Sequence, residues 1–211
     1  MDPVALTPTE LVPGRPFTDP ELTKQDLSML HQMLTDLRGV LEEAKVPPAR
    51  VVPYHQMAWR VDGHGRRLII CNEERLGTHP DLCIVGFFGD RRTEIDISPL
   101  EEANASVVSE FPDNPGILSY SSISVEGGQW GNMVLHEDPR DAERWRESQV
   151  HARAVEMLSP IHYRCVRIHN ARLDARLFED PDIVVHRTKY FDFVGQPEWQ
   201  GVRTVAESPP V

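Results

Sequence analysis

Positive charge is scarce in this chain. Of 211 residues, 22 are Lys or Arg against 33 Asp or Glu, a formal net charge of −11 with histidine neutral. Nucleic-acid binders carry a basic face that displaces counterions from phosphates, so that class is not expected. Docking on an anionic membrane surface is disfavoured for the same reason. Long apolar runs are missing too. No stretch of 18 apolar residues exists, so no transmembrane helix is expected. The opening MDPVALTPTELVPGRP mixes prolines with acids and has no basic-then-apolar order. It does not read as a secretory signal, and the expected compartment is the cytoplasm. Cysteine is reduced to Cys71, Cys83 and Cys165, an odd count without Cys-x-x-Cys. That argues against a disulfide framework and a thiolate zinc site, and leaves buried thiols as small hydrophobes.

Signature motifs are absent as well. There is no Gly-x-Gly-x-x-Gly, no Walker sequence, no His-Glu-x-x-His and no Gly-x-Ser-x-Gly. Nucleotide cofactors and a hydrolase elbow are therefore not expected. The nine histidines fall at no recognised ligand spacing, so no dedicated metal site is assigned.

What is present is a globular composition, 40% hydrophobic and 26% charged. Residues 1–19 hold several prolines and read as a flexible arm. Asp19-Pro20 gives a cap and a first-turn proline for a long helix to about residue 45, with leucines on one stripe. Residues 57–61 and 67–71 read as a hairpin around Asp62-Gly63-His64-Gly65, and 72–80 as loop. Residues 20–81 thus form a helix-and-hairpin extension. From 82 the signals sharpen: strand 82–88, helix 99–111, strands 117–125 and 130–136, a helix from Asp138-Pro139 to about 158, and strand 163–172. This β-α-β-β-α-β order over 82–173 is the ferredoxin-like split unit, an α+β class. Residues 174–211 form a C-terminal extension. It has two short strand-like runs, 183–185 and 190–194, and a Pro-rich end at 205–211 expected to fray.

Within 82–173, the helix DPRDAERWRESQVHARA carries an acidic cap, then Trp145, Ser148 and His151. It resembles the Trp-x-x-Ser-x-x-His/Phe helix of the dimeric α+β barrel superfamily, in its antibiotic-biosynthesis-monooxygenase-like branch. The resemblance covers under half the chain. It implies a homodimer or higher homo-oligomer, whose sheets close a barrel with helices outside and a pocket between sheet and second helix in each protomer. It implies either cofactor-free oxygenase chemistry on a small planar molecule or a haem protein of the same fold. In the haem-degrading branch the iron ligand lies about ten positions after the helix tryptophan. Here that position is Val155, so a haem reading must nominate another residue, His151.

The candidate residues follow from helix and strand periodicity. Trp145 is either a stacking wall of the pocket or a core residue over the sheet. His151 at the helix edge could move protons near neutrality or ligate iron. Asn132 and His136 share a strand face, and Tyr120 and Ser122 share one on the strand before. Asn132 could hold a substrate oxygen, or orient dioxygen or an oxyanion. Tyr120, Asn132 and His136 together form either a polar patch of such a site or a solvated or interface hydrogen-bond network. In the last strand Arg167 and His169 alternate with Val166 and Ile168, and either pair could face the pocket. Arg167 is either a catalytic cation or one paired structurally with a carboxylate. Three readings stand: a cofactor-free oxidoreductase, a haem enzyme, and a non-catalytic ligand-binding or assembly protein.

Overall fold

The computed structural model describes residues 2–47, 49–125, 127–195 and 198–205. The expected fraying end lies, from residue 206 onward, outside the described residues.

The organising element is helix α1 (Pro20–Ala44). The Asp19 carboxylate accepts from the Glu21 N–H at 2.9 Å and Pro20 supplies the first-turn φ, as the sequence predicts. Its stripe of Leu30, Met33, Leu34, Leu37 and Leu41 is almost wholly removed from water. Each such side chain contributes about 1.5–3 kcal/mol when fully buried, so the helix must lie on a large apolar surface.

That surface is one face of a mixed sheet of nine strands among the described residues. The strands are β1 (Val4–Leu6), β2 (Gln56–Val61), β3 (His64–Ile70), β4 (Cys83–Arg91), β5 (Ile117–Ser124), β6 (Gln129–His136), β7 (Tyr163–Leu173), β8 (Ile183–Asp192) and β9 (Trp199–Thr204). Across the sheet the order is β1-β9-β8-β7-β4-β6-β5-β3-β2. Neighbours are antiparallel except β1 and β9, which run parallel. Residues 4–6 of the expected flexible arm are thus in a strand. The two short runs foreseen at 183–185 and 190–194 fall on one strand, Ile183–Asp192, which pairs with β7 on both sides of a bulge at His186.

The fold expected from the sequence is corrected here. A small ferredoxin-like core closing a dimeric α+β barrel is not what the chain builds. The sheet continues beyond 82–173 on both sides, through β8-β9-β1 and through β3-β2, and stays open. The physical reason lies in α1. The face that a barrel would turn inward carries Leu68, Ile70, Ile84, Phe88, Leu118, Ile123, Met133 and Leu135, and the leucines of α1 cover it from within the same chain. At Gly86 an added Cβ would sit 3.1 Å from Leu30, so the bare backbone of β4 is what lets the helix approach this closely. Helix α2 (Glu73–Thr78), expected to be loop, plugs the end of the same layer with Leu76.

The opposite face is covered by α3 (Ser98–Ser109), α4 (Pro139–Arg146), α5 (Gln149–Arg153) and α6 (Ser159–His162), with a π-helical turn over Ala154–Leu158. The single helix foreseen from 138 to 158 is broken at Ser148. Asp138 and Asp141 form the reciprocal capping box of α4. Ser148 then leaves helical geometry, its Oγ accepts from the His151 N–H at 3.2 Å, and a new helix starts. The smaller core on this side is Ile69, Cys71, Val107, Phe111, Ile117, Tyr120, Val134 and Trp145. No helix among the described residues is long and apolar enough to cross a membrane.

Candidate functional site

Strand alternation divides the candidate residues between the two faces. Tyr120, Asn132, His136, Trp145 and His151 belong to the α3–α6 side. Arg167 belongs to the α1 side.

Arg167 is held by Asp26 of α1, with Nε and Nη2 donating at 2.6 and 2.7 Å. His169 Nε2 bonds the same carboxylate at 2.8 Å, and its Nδ1 bonds Thr188 Oγ1 at 2.9 Å. Burial disfavours the Arg167 charge, but the bonded Asp26 carboxylate outweighs it and the pKa rises. Asp26 is 3% exposed and His169 0%. These four side chains form a closed network beneath α1, with Arg167 and His169 facing the helix instead of a barrel.

On the other side, aromatic rings make a chain. Tyr120 lies 5.7 Å from Phe111, Phe111 5.9 Å from Trp145, and Trp145 6.0 Å from His136 and 4.5 Å from His151. The structure therefore brings together three of the sequence candidates, His136, Trp145 and His151, and links Tyr120 to them through Phe111. Neither ring nitrogen of His136 meets full hydrogen-bond geometry, and the Trp145 indole N–H is also buried without a partner. Burial pushes the His136 pKa down to about 4; the Gly116 backbone opposes this and the His151 charge adds to it. His151 is also pushed down, first by burial, then by the Arg146 charge, with Glu110 opposing. Glu110 accepts the Ser148 hydroxyl at 2.5 Å. Trp145 is 6% exposed, which fits a core residue under the helix break.

Asn132 shares its β6 face with Trp130, Val134 and His136 and is half-buried, opposite Phe87 on β4 and Ser122 on β5. It is not brought to the His136–Trp145–His151 cluster by any contact described.

The open space lies elsewhere. A cleft of about 380 Å³ runs along β2, β3, β5 and β6, lined by Trp59, Arg60, Arg67, Ser122, Ser124 and Trp130 among others. Arg67 governs it. Its Nε donates to Ser122 Oγ at 3.2 Å, and its Nη2 to Tyr120 Oη at 2.8 Å and Asn104 Oδ1 at 3.2 Å. The guanidinium stands 4.9 Å from the Tyr120 ring centroid and 5.7 Å from that of Trp130. All its partners are neutral. Its neighbour Arg66, on the opposite face, reaches Asp36 at 3.1 Å. The sequence reading missed Arg67 and Trp130. A signal existed: consecutive arginines in a strand face opposite sides, so at least one stands away from whatever pairs the other.

Neither described cleft is lined by His151, and its ring lies against the Trp145 indole. That arrangement does not fit an axial ligand under a broad planar macrocycle, and no haem chemistry is derived from it.

No family model matches the chain, and no curated protein is similar to it. A solved structure titled "Crystal structure of aldoxime dehydratase" is similar over 70% of this chain and 37% of its own, at 15% identity and a TM-score of 0.31. The chain thus spans little more than a third of that protein's length. A likeness at this level carries no argument about fold or chemistry. The antibiotic-biosynthesis-monooxygenase-like resemblance of the Trp145 helix is not upheld, since the nine-stranded sheet of the described residues is not that superfamily's barrel.

Proposed function

We propose that the chain is a small-molecule-binding protein and that its ligand is a planar anion held in the cleft at Arg67. One observation carries this reading. In a chain with an excess of acids, Arg67 is half-buried between two aromatic rings and bonded only to neutral groups. A guanidinium in that setting keeps its charge unneutralised, and with Nε and Nη2 bonded to Ser122, Tyr120 and Asn104 its Nη1 is left to donate to a carboxylate. Trp130 offers a stacking face, Ser122 and Ser124 offer hydroxyls, and a volume of about 380 Å³ accommodates a one- or two-ring molecule.

The lining groups bind and orient; recognition is therefore the function they support best. The cofactor-free oxidoreductase reading placed its pocket at the second helix around His151 and Trp145, and the open cleft is not there.

Isothermal titration with aromatic carboxylates such as salicylate and 1-naphthoate tests the proposal. Arg67→Gln is expected to weaken binding about tenfold or more, the loss of one charge-assisted contact, and Trp130→Ala to weaken it further. If neither change weakens a confirmed carboxylate ligand, the cleft is not its site.

A further inference from the structure

Lys24, Lys45 and Lys189 are the lysines of this chain. Lys189 is half-buried on β8, next to Thr188, which bonds His169 on the α1 side, so Lys189 lies on the side of the sheet away from α1. On the same face Arg187, also half-buried, donates from Nε to Asn170 Oδ1 of β7 at 3.1 Å. From α4, Arg146 and Glu143 stand near enough for their charges to act on Lys189. Its pKa is lowered by burial first, then by the Arg146 and Arg187 charges, with Glu143 opposing. Elsewhere the acids of this chain find its arginines: Arg66, Arg75, Arg164 and Arg167 each have a carboxylate within hydrogen-bond distance. Among the described residues, Arg146, Arg187 and Lys189 have none within 4 Å.

Arg187 and Lys189 stand two positions apart on one face of β8, the Arg146 charge adds to their repulsion, and Glu143 offsets it only in part. A dianion relieves that repulsion better than a single carboxylate does. The Asn170 amide gives its oxygen to Arg187, which leaves its NH2 free to donate. In register with Lys189 lie Ile168 on β7 and Val202 on β9, both half-buried, an apolar floor beside the charges. We propose that this shelf binds the phosphate of a small phosphomonoester, with Arg187 and Lys189 on its oxygens, Arg146 closing from α4, and the organic part lying on Ile168 and Val202. The shelf is independent of the Arg67 cleft. Four strands separate β8 from β3, about 24 Å at the usual interstrand spacing.

So small a lysine count makes the test direct. Reductive 13C-dimethylation keeps the charge and gives a separate signal for each lysine. The protein is titrated with phenyl phosphate, inorganic phosphate and benzoate. Phenyl phosphate is expected to move the Lys189 signal saturably and raise its titration midpoint, with Lys24 and Lys45 unmoved. Benzoate is expected to leave Lys189 in place. Arg187→Gln is expected to weaken phenyl phosphate about tenfold or more. Arg146→Gln, at an exposed position, gives the same test if the first variant does not fold. A Lys189 signal unmoved at millimolar phenyl phosphate, equal movement with benzoate, or undiminished binding in the variants overturns the proposal. Inorganic phosphate binding as tightly as phenyl phosphate overturns the assignment to a phosphomonoester.

Discussion

Asp26 is the residue whose loss should cost this protein most for the least change in shape. Its carboxylate takes two hydrogen bonds from Arg167 and one from His169, and its side chain is 4% exposed against 13% for Arg167. Asp26→Asn keeps the volume and removes the charge. Arg167 then remains beneath α1 as a buried cation without its counter-ion. Breaking a buried pair from one side costs about 3–5 kcal/mol, because the desolvation of the survivor is no longer offset. For a chain of this length that is a fall in Tm of about 6–20 °C. Urea denaturation followed by far-UV circular dichroism, with thermal melts alongside, measures it. Adding Arg167→Met removes the stranded cation while the carboxamide still accepts from His169, and should recover more than half of the loss. A loss below about 1 kcal/mol in Asp26→Asn would falsify the assignment of this network as the electrostatic anchor of α1.

Two further outcomes follow from the opposite face. His136 is held neutral in the folded state, at a pKa of about 4 against an ordinary 6.5. The unfolded chain therefore binds the proton first as pH falls. Stability should be level above about pH 7 and drop by about 3 kcal/mol between pH 6.5 and 4. His136→Phe should flatten that segment of the urea midpoint against pH, and an unchanged slope would remove His136 as its cause. Ser148→Ala removes both the cap of α5 and the hydroxyl given to Glu110. It should cost about 1–2 kcal/mol and speed amide exchange over 149–153, while exchange in α1 stays as it was.

Local chemistry was readable in this sequence wherever the partner lies a few residues away. Asp19-Pro20 marks the start of α1 and Asp138 the capping box of α4, because caps are satisfied within one turn. The leucine stripe of α1 announced a large apolar partner. What the sequence does not carry is which surface meets it. Asp26 and Arg167 are 141 positions apart, and nothing in either neighbourhood names the other. The same limit hid the breadth of the sheet: β-α-β-β-α-β is a complete unit on paper, and only interstrand hydrogen bonds show that β8 and β3 continue it. The alternation of Trp130, Asn132, Val134 and His136 could be read, but not that one end of that face is sealed by Trp145 and the other opens beside Arg67. The break at Ser148 was legible in principle, since serine is a strong cap and a poor mid-helix residue.

The parallel pairing of β1 with β9 has a consequence for the order in which this molecule is made. Val4 lies opposite Gly201 and Leu6 opposite Arg203. Arg203 is buried, and its guanidinium is satisfied by the Tyr190 hydroxyl and the backbone carbonyls of Thr7, Glu10 and Thr18. During vectorial synthesis those carbonyls leave the ribosome before their cation, which is made 185 to 196 residues later. Until then the outer edge of β8 has no strand beside it, and an unpaired edge is a template for another chain. The nascent protein should therefore depend most on chaperones until Arg203 has emerged, and release from them should coincide with its arrival.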